Sequence, residues 1–197
     1  MGQRGRRRGS IGVESRNLLL EKAAEEFAKC GFHETKISTI VKRANVTQPS
    51  FYLYFSSKDA IFQELVGSFH STLSDLVQQS RLESGLKLDS LEAEIEYKLT
   101  AIFTYFKNNQ DLTKIGFYIS KDAGRLKGQI AAQIEENLLK EQRDGYFQPD
   151  IDMHTVAQSL VGIMERLTIV KLFTGMREPG NLANEIVRLI LNGIISR

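Results

Sequence analysis

Four consecutive residues, Thr47, Gln48, Pro49 and Ser50, set two hydroxyls, a carboxamide and an apolar ring side by side. The Gln48 carboxamide matches the donor and acceptor that adenine shows in the major groove, and the Pro49 ring suits a thymine methyl. Tyr52, Tyr54 and Lys58 follow at short intervals, and Thr35 and Lys36 come before them. Hydroxyl and ammonium groups of this kind bond phosphate oxygens, contacts that set register on a duplex rather than read its sequence. Thr35 suits a second role equally well, as the cap of a helix. Reaction chemistry is poorly supplied by comparison. His33, His70 and His154 lie far apart, none with a partner at metal-ligand spacing. No glycine-rich phosphate loop and no nucleophile elbow is present. Asp150 and Asp152 stand beside a helix start, where capping explains them. The expectation is a binding protein, not an enzyme, with no cofactor and no metal.

The elements that must hold these groups are legible from spacing. Ile37, Ile40, Val41 and Ala44 fall at i, i+3, i+4 and i+7, the apolar stripe of a short helix. Asn45 is one of the few residues besides glycine that tolerates the left-handed conformation a helix stop needs. Val46 returns to the core, Thr47 caps the next helix, and Pro49 sits in its first turn. That is a helix-turn-helix, whose second helix enters the major groove. Phe51 and Phe55 share its buried face, with Tyr52 and Tyr54 flanking. Lys58 opens a further helix, whose N-terminal amides and dipole favour a phosphate. Charge agrees: residues 1–58 hold 11 Lys and Arg against 5 Asp and Glu, whereas residues 59–197 hold 15 against 19. Residues 1–13 form a basic arm in which Arg4, Arg6, Arg7 and Arg8 alternate with glycine. Such an arm cannot fold alone, and it is either solvated or laid against nucleic acid.

The rest of the chain predicts helices at residues 14–30, 58–80, 89–108, 111–120, 123–144, 152–174 and 179–196. No stretch alternates like a strand, so the fold class is all-α, with about nine helices. The domains expected are the arm at 1–13, a helix-turn-helix domain at 14–57 and a C-terminal helical domain at 58–197. A chain of 197 residues with 42% hydrophobic content suffices for such a core. No apolar run reaches the roughly 18–20 residues of a membrane span, and no secretory signal precedes the fold. Cys30, the single cysteine, excludes an intrachain disulfide and suits a reducing cytoplasm; its place on the first helix predicts ordinary packing. The apolar positions from Leu182 to Ile195 spread over roughly 240° of a helix turning ~100° per residue. The 152–174 helix is similarly rich. Two helices with two apolar faces each are either buried completely inside one domain or, the expectation preferred, joined in a two-fold dimer through a four-helix bundle, with Val156, Leu160, Leu167, Ile186, Ile190 and Ile194 at its interface.

The run from Glu14 to Val66 resembles the DNA-binding region of the tetracycline-repressor (TetR) family. The matching residues are Ala24, Phe27 and Gly31, then Thr35, Ile37 and Ile40, then Val46 and Thr47, then Phe51, Tyr52, Phe55 and Lys58. Asn45 stands where the family usually has glycine, and Pro49 and Ser50 replace a commoner Gly-Thr or Gly-Ala pair. The resemblance implies a cytoplasmic homodimeric repressor on a pseudo-palindromic double-stranded DNA operator, released by a small-molecule effector. The effector would enter the C-terminal domain, where Phe69, His70, Tyr97, Phe103, Phe106, Phe117, Tyr118 and Met164 offer an aromatic-rich lining for a hydrophobic or flat ligand, though the core has an equal need of most of them. Glu165 and Arg166 would serve ligand polar groups or an interface ion pair. The alternative is a non-enzymatic helical interaction module whose basic end meets a different acidic partner.

Overall fold

Gly31 interrupts the first helix with φ 79° and ψ 170°, a conformation open to glycine and costly for any residue with a Cβ. The computed structural model describes the backbone of residues 5–194 and the side chains of residues 12–194. Nine α-helices occur among them and no strand: α1 Gly5–Glu34, α2 Ile37–Arg43, α3 Gln48–Tyr52, α4 Lys58–Gln79, α5 Leu88–Asn108, α6 Gln110–Lys114, α7 Ala123–Arg143, α8 Met153–Leu167 and α9 Pro179–Asn192. Two of them run on into single π-helical turns, α6 through Ile115–Ile119 and α8 through Thr168–Leu172. The all-α expectation holds, as does the count of helices. The backbone is helical from Gly5, where the sequence predicts an arm without structure of its own. Arg4 lies outside the described residues, as do the side chains of Arg6, Arg7 and Arg8.

The chain divides into two compact units. The first takes the chain up to Phe69 together with Asp111–Ala123. Its core is aromatic. Phe27 on α1 meets Phe62 on α4 edge-on at 4.9 Å, and Phe32, turned back by the Gly31 kink, packs on both at 5.9 and 4.8 Å. Leu19, Ala23, Ala24 and Phe27 form the buried stripe of α1. Cys30 falls off that stripe and is exposed, contrary to the packing expected of it. Ile61, Phe62, Leu65, Val66 and Phe69 of α4 all belong to this core. The unit boundary therefore falls within α4 and not at residue 58. Gly116, in the π turn after α6, lets the chain pass directly over the Phe69 ring; a Cβ there would stand 2.0 Å from Phe69 Cδ1.

The second unit comprises His70–Gln110 and the chain from Gly124 onward. Asp152 caps α8 with both carboxylate oxygens, accepting the amides of His154 at 3.3 Å and Thr155 at 3.1 Å. Pro179 occupies the first turn of α9. Leu182, Ala183, Ile186 and Val187 bury one face of α9, and Asn184 donates to Glu96 of α5 at 2.7 Å. The loop after α4 is pinned to α7 and beyond: Leu82 N donates to Glu141 Oε1 at 2.9 Å, and the Tyr146 hydroxyl accepts from Leu86 N at 2.7 Å and donates to Glu83 O at 2.8 Å. Among the described residues no helix is long and apolar enough to cross a membrane.

Candidate nucleic-acid interface

The turn between α2 and α3 is built as its residues predict. Ala44 N donates to Ile40 O at 2.9 Å and Val46 N to Val41 O at 3.0 Å, while Asn45 takes φ 52°, the one described non-glycine residue at positive φ. Thr47 is extended at φ −88° and ψ 156°, and its hydroxyl accepts the Ser50 amide at 3.3 Å. The Thr47 and Ser50 hydroxyls also bond each other at 2.8 Å. Both hydroxyls therefore contribute to the helix start before they meet any ligand. Phe51 and Phe55 anchor α3 inward, buried and 5.6 Å apart between ring centroids. Outward, Thr47, Gln48, Pro49 and Tyr52 are exposed. Leu53, absent from the expected site, is 81% exposed beside them; a leucine between two tyrosines past the end of a five-residue helix is the signal that marks it.

Two residues expected at phosphates are used otherwise. Thr35 is buried, its hydroxyl donating to Gly31 O at 2.7 Å with Glu26 O at 3.2 Å. It neither caps α2, whose cap is Lys36 without a side-chain bond, nor reaches solvent. Lys58 spends all three donors on the carbonyls of Phe32, His33 and Thr35 at 2.8, 3.2 and 2.9 Å, and lies over the Phe32 ring at 4.6 Å. An ammonium there satisfies carbonyls left over at the end of α1. Tyr54 is half-buried, and its hydroxyl lies 3.6 Å from where a Cβ on Gly12 would stand.

The remaining charges divide clearly. Arg16 is tied to Glu64 at 2.7 Å and covers the Phe55 ring at 5.0 Å. Arg43 pairs with Glu25 and Glu26, and Lys22 pairs with Glu21 at 2.6 Å and Glu25 at 2.7 Å. The Lys22 hydrogen bond, with Arg43 nearby, holds the Glu25 carboxyl below its ordinary range. Lys29, Lys36 and Lys42 have no ion-pair partner among the described residues, and all three are exposed. Lys36 and Lys42 stand at the two ends of α2, so free positive charge lies along this helix.

The second unit holds a cavity of about 380 Å³ lined by α4, α5, α7, α8 and α9 with the 146–151 loop. Of the aromatic-rich set expected to line an effector site, Met164 alone borders it. Phe103 and Phe106 are packed in the core, Tyr97 is 73% exposed, and Tyr118 is exposed. Phe69 and Phe117 meet each other at 5.1 Å within the first unit. Burial pushes the His70 imidazole below its ordinary range, with Arg125 adding to the effect, but His70 does not border the cavity. Aromatic side chains are the largest apolar groups available and went to fill the cores. Aliphatic residues line most of the cavity instead, with Tyr146 and Phe147 from the loop after α7. Ile186, expected at a subunit interface, is buried and borders it too, as do Val156, Leu160 and Ile190. Ile194 is 88% exposed and Leu167 half-buried. Glu165 pairs with Lys127 at 2.8 Å. Among the described residues no cluster of His, Cys, Asp and Glu is suited to a metal ion.

Comparison with known proteins bears on the same segment. Residues 19–65, which contain α2, α3 and their turn, match the family described as "Bacterial regulatory proteins, tetR family". Over 188 residues the chain is 46% identical to the "Uncharacterized HTH-type transcriptional regulator YdgC" of Bacillus subtilis, covering 95% of this chain and 96% of that protein. It is 30% identical over 151 residues to the "HTH-type transcriptional repressor KstR2" of Mycobacterium tuberculosis, 72% of this chain and 73% of that one. Among solved structures, a gamma-butyrolactone receptor described as ArpA-like superposes with a TM-score of 0.73 at 21% identity, over 94% of this chain and 90% of the other. FadR of Bacillus subtilis, solved with stearoyl-CoA, superposes with a TM-score of 0.68 at 15% identity, over 91% and 99%. A helix-turn-helix with a capped, outward-facing second helix, and a relative matched along nearly its whole length, lead to one conclusion: the chain belongs to the tetR family of bacterial regulatory proteins and is a DNA-binding transcriptional regulator.

Proposed function

We propose that the protein is a homodimeric cytoplasmic repressor that holds a pseudo-palindromic operator and lets go when a small apolar molecule fills the cavity of its second unit. The exposed face of α3 carries this reading: Gln48, Pro49 and Leu53 turn toward solvent while Phe51 and Phe55 hold the helix in place. Gln48 and Pro49 address base edges. Lys36, Lys42 and the Tyr52 hydroxyl address phosphates. Pairing of subunits is supported by a second apolar stripe on α8. Val156, Leu160, Ile163, Leu167 and Val170 recur at alternating steps of four and three, all half-buried, beside the fully buried Met153, Ala157, Val161 and Met164, and Ile163, Leu167 and Val170 do not border the cavity. That is the seam of a helix-on-helix contact. On α9 the exposed Leu189 and Ile190 continue it. The effector reading is supported by the cavity, whose mainly apolar walls suit an apolar ligand. Relatives named for a repressor, a gamma-butyrolactone receptor and a stearoyl-CoA complex agree in kind.

Selection of bound duplexes from a random pool tests the reading. A palindromic consensus is expected, bound more weakly as salt rises, because each phosphate contact releases counterions. Binding that ignores both sequence and salt would refute it.

A further inference from the structure

Within the cavity one group is left open. Glu141 is 5% exposed and lines the cavity, with Oε1 accepting the Leu82 amide at 2.9 Å. Its other oxygen has no hydrogen-bond partner among the described residues. Several neighbouring polar groups are committed elsewhere. Lys98 donates to Gln79 O and pairs with Glu94 Oε1, both at 3.1 Å. Asn137 donates to Val77 O at 2.9 Å, Ser80 donates to the same carbonyl at 2.7 Å, and Tyr146 bridges the loop as described. A carboxyl largely withdrawn from water, with one oxygen unpartnered, gains from a donor brought to it. Burial pushes it above its ordinary range, the Leu82 amide and the charges of Arg81 and Lys98 pulling the other way.

We propose that the cavity takes a slender apolar molecule ending in a protonated amine, which donates to Glu141 while the chain lies along the aliphatic walls. This rests on the effector reading above and names the head group that reading leaves open. A carboxylate head would face Glu141 as a like charge, and Lys98 is turned to Glu94 and a backbone carbonyl. An alcohol would donate one neutral bond, weaker than a charge-assisted one. The sequence carried the signal: Ile130, Ile134 and Glu141 lie on one stripe of α7, a carboxylate where an apolar residue belongs.

The test is calorimetric titration of the full chain with decylamine, decanol and decanoic acid, which share a tail and differ at the head. Decylamine is expected to bind about tenfold tighter than either other ligand, the worth of one good ionic hydrogen bond. Glu141→Gln keeps an acceptor for the Leu82 amide and is expected to remove that preference. Tighter binding of decanoic acid, no binding of decylamine, or an unchanged preference in Glu141→Gln would each overturn the proposal. The ranking in the unaltered protein stands even should the variant fold poorly. Decylamine that binds as expected but leaves the operator complex intact would support the head-group assignment and refute the effector reading, so the two fail separately.

Discussion

Gln48 and Tyr52 are exposed on the same short helix yet answer to different parts of DNA. A carboxamide reads base edges and a phenol meets phosphate, so their removal has different signatures. Gln48→Ala is expected to change the preferred operator sequence, costing about 1–3 kcal/mol at one base pair and little at mismatched sites. Tyr52→Phe is expected to weaken all duplexes alike. Equal losses on matched and mismatched operators for Gln48→Ala would remove it from base reading. Lys58 belongs to a different category. With its ammonium on three carbonyls of the first unit, Lys58→Met is expected to cost roughly 2 kcal/mol of stability in urea unfolding. Operator affinity, measured where the variant is folded, should change little. Glu141 supplies a pH dependence. Its folded form keeps a proton at pH values where the unfolded chain has lost it, because burial raises it above the ordinary 4.5. The stability attached to that proton is complete below pH 4.5 and is lost as pH rises through the folded value. Unfolding midpoints of Glu141→Gln across pH 4 to 8, each a rough bracket of that window, are expected to lack this decline.

Among elements, the π turn after α6 and the outer stripe of α8 give the sharpest expectations. At Gly116 even one methyl would fall on the Phe69 ring, and Phe69 is itself buried against Phe117. Gly116→Ala is therefore expected to cost about 1–3 kcal/mol, the usual penalty for overfilling a packed core, as a lowered thermal midpoint. The α8 stripe tests differently. Leu167→Glu puts a charge into a half-buried apolar seam without touching the buried Met164 face. Sedimentation is expected to show monomer for this variant and dimer for the parent. A dimer that survives the substitution would place the subunit contact elsewhere. Both elements show how periodicity speaks and where it stops. Steps of three and four identify a second apolar stripe, but they do not distinguish Ile186, buried against its own chain, from Leu189, left outside. That choice depends on where α5 lies.

At the scale of the whole molecule, the sequence by itself determined the all-α class, the helix-turn-helix with its Asn45 turn and Thr47 cap, and the basic character of the first 58 residues. These rest on local physics: 3.6-residue periodicity, the few residues that accept positive φ, and hydroxyls that cap helix starts. Tertiary structure decided how side chains of like chemistry were divided among tasks. Thr35 and Lys58 carry the donors a phosphate contact needs, but the close of α1 claims both. Most of the aromatic residues that suited a ligand pocket by type went to the cores, and the cavity was left with mainly aliphatic walls and a buried carboxyl among its polar groups. A hydrogen-bond donor or an apolar ring satisfies whichever partner the folded chain brings within reach. That partner is set by contacts between residues far apart in sequence, and spacing along the chain does not record them.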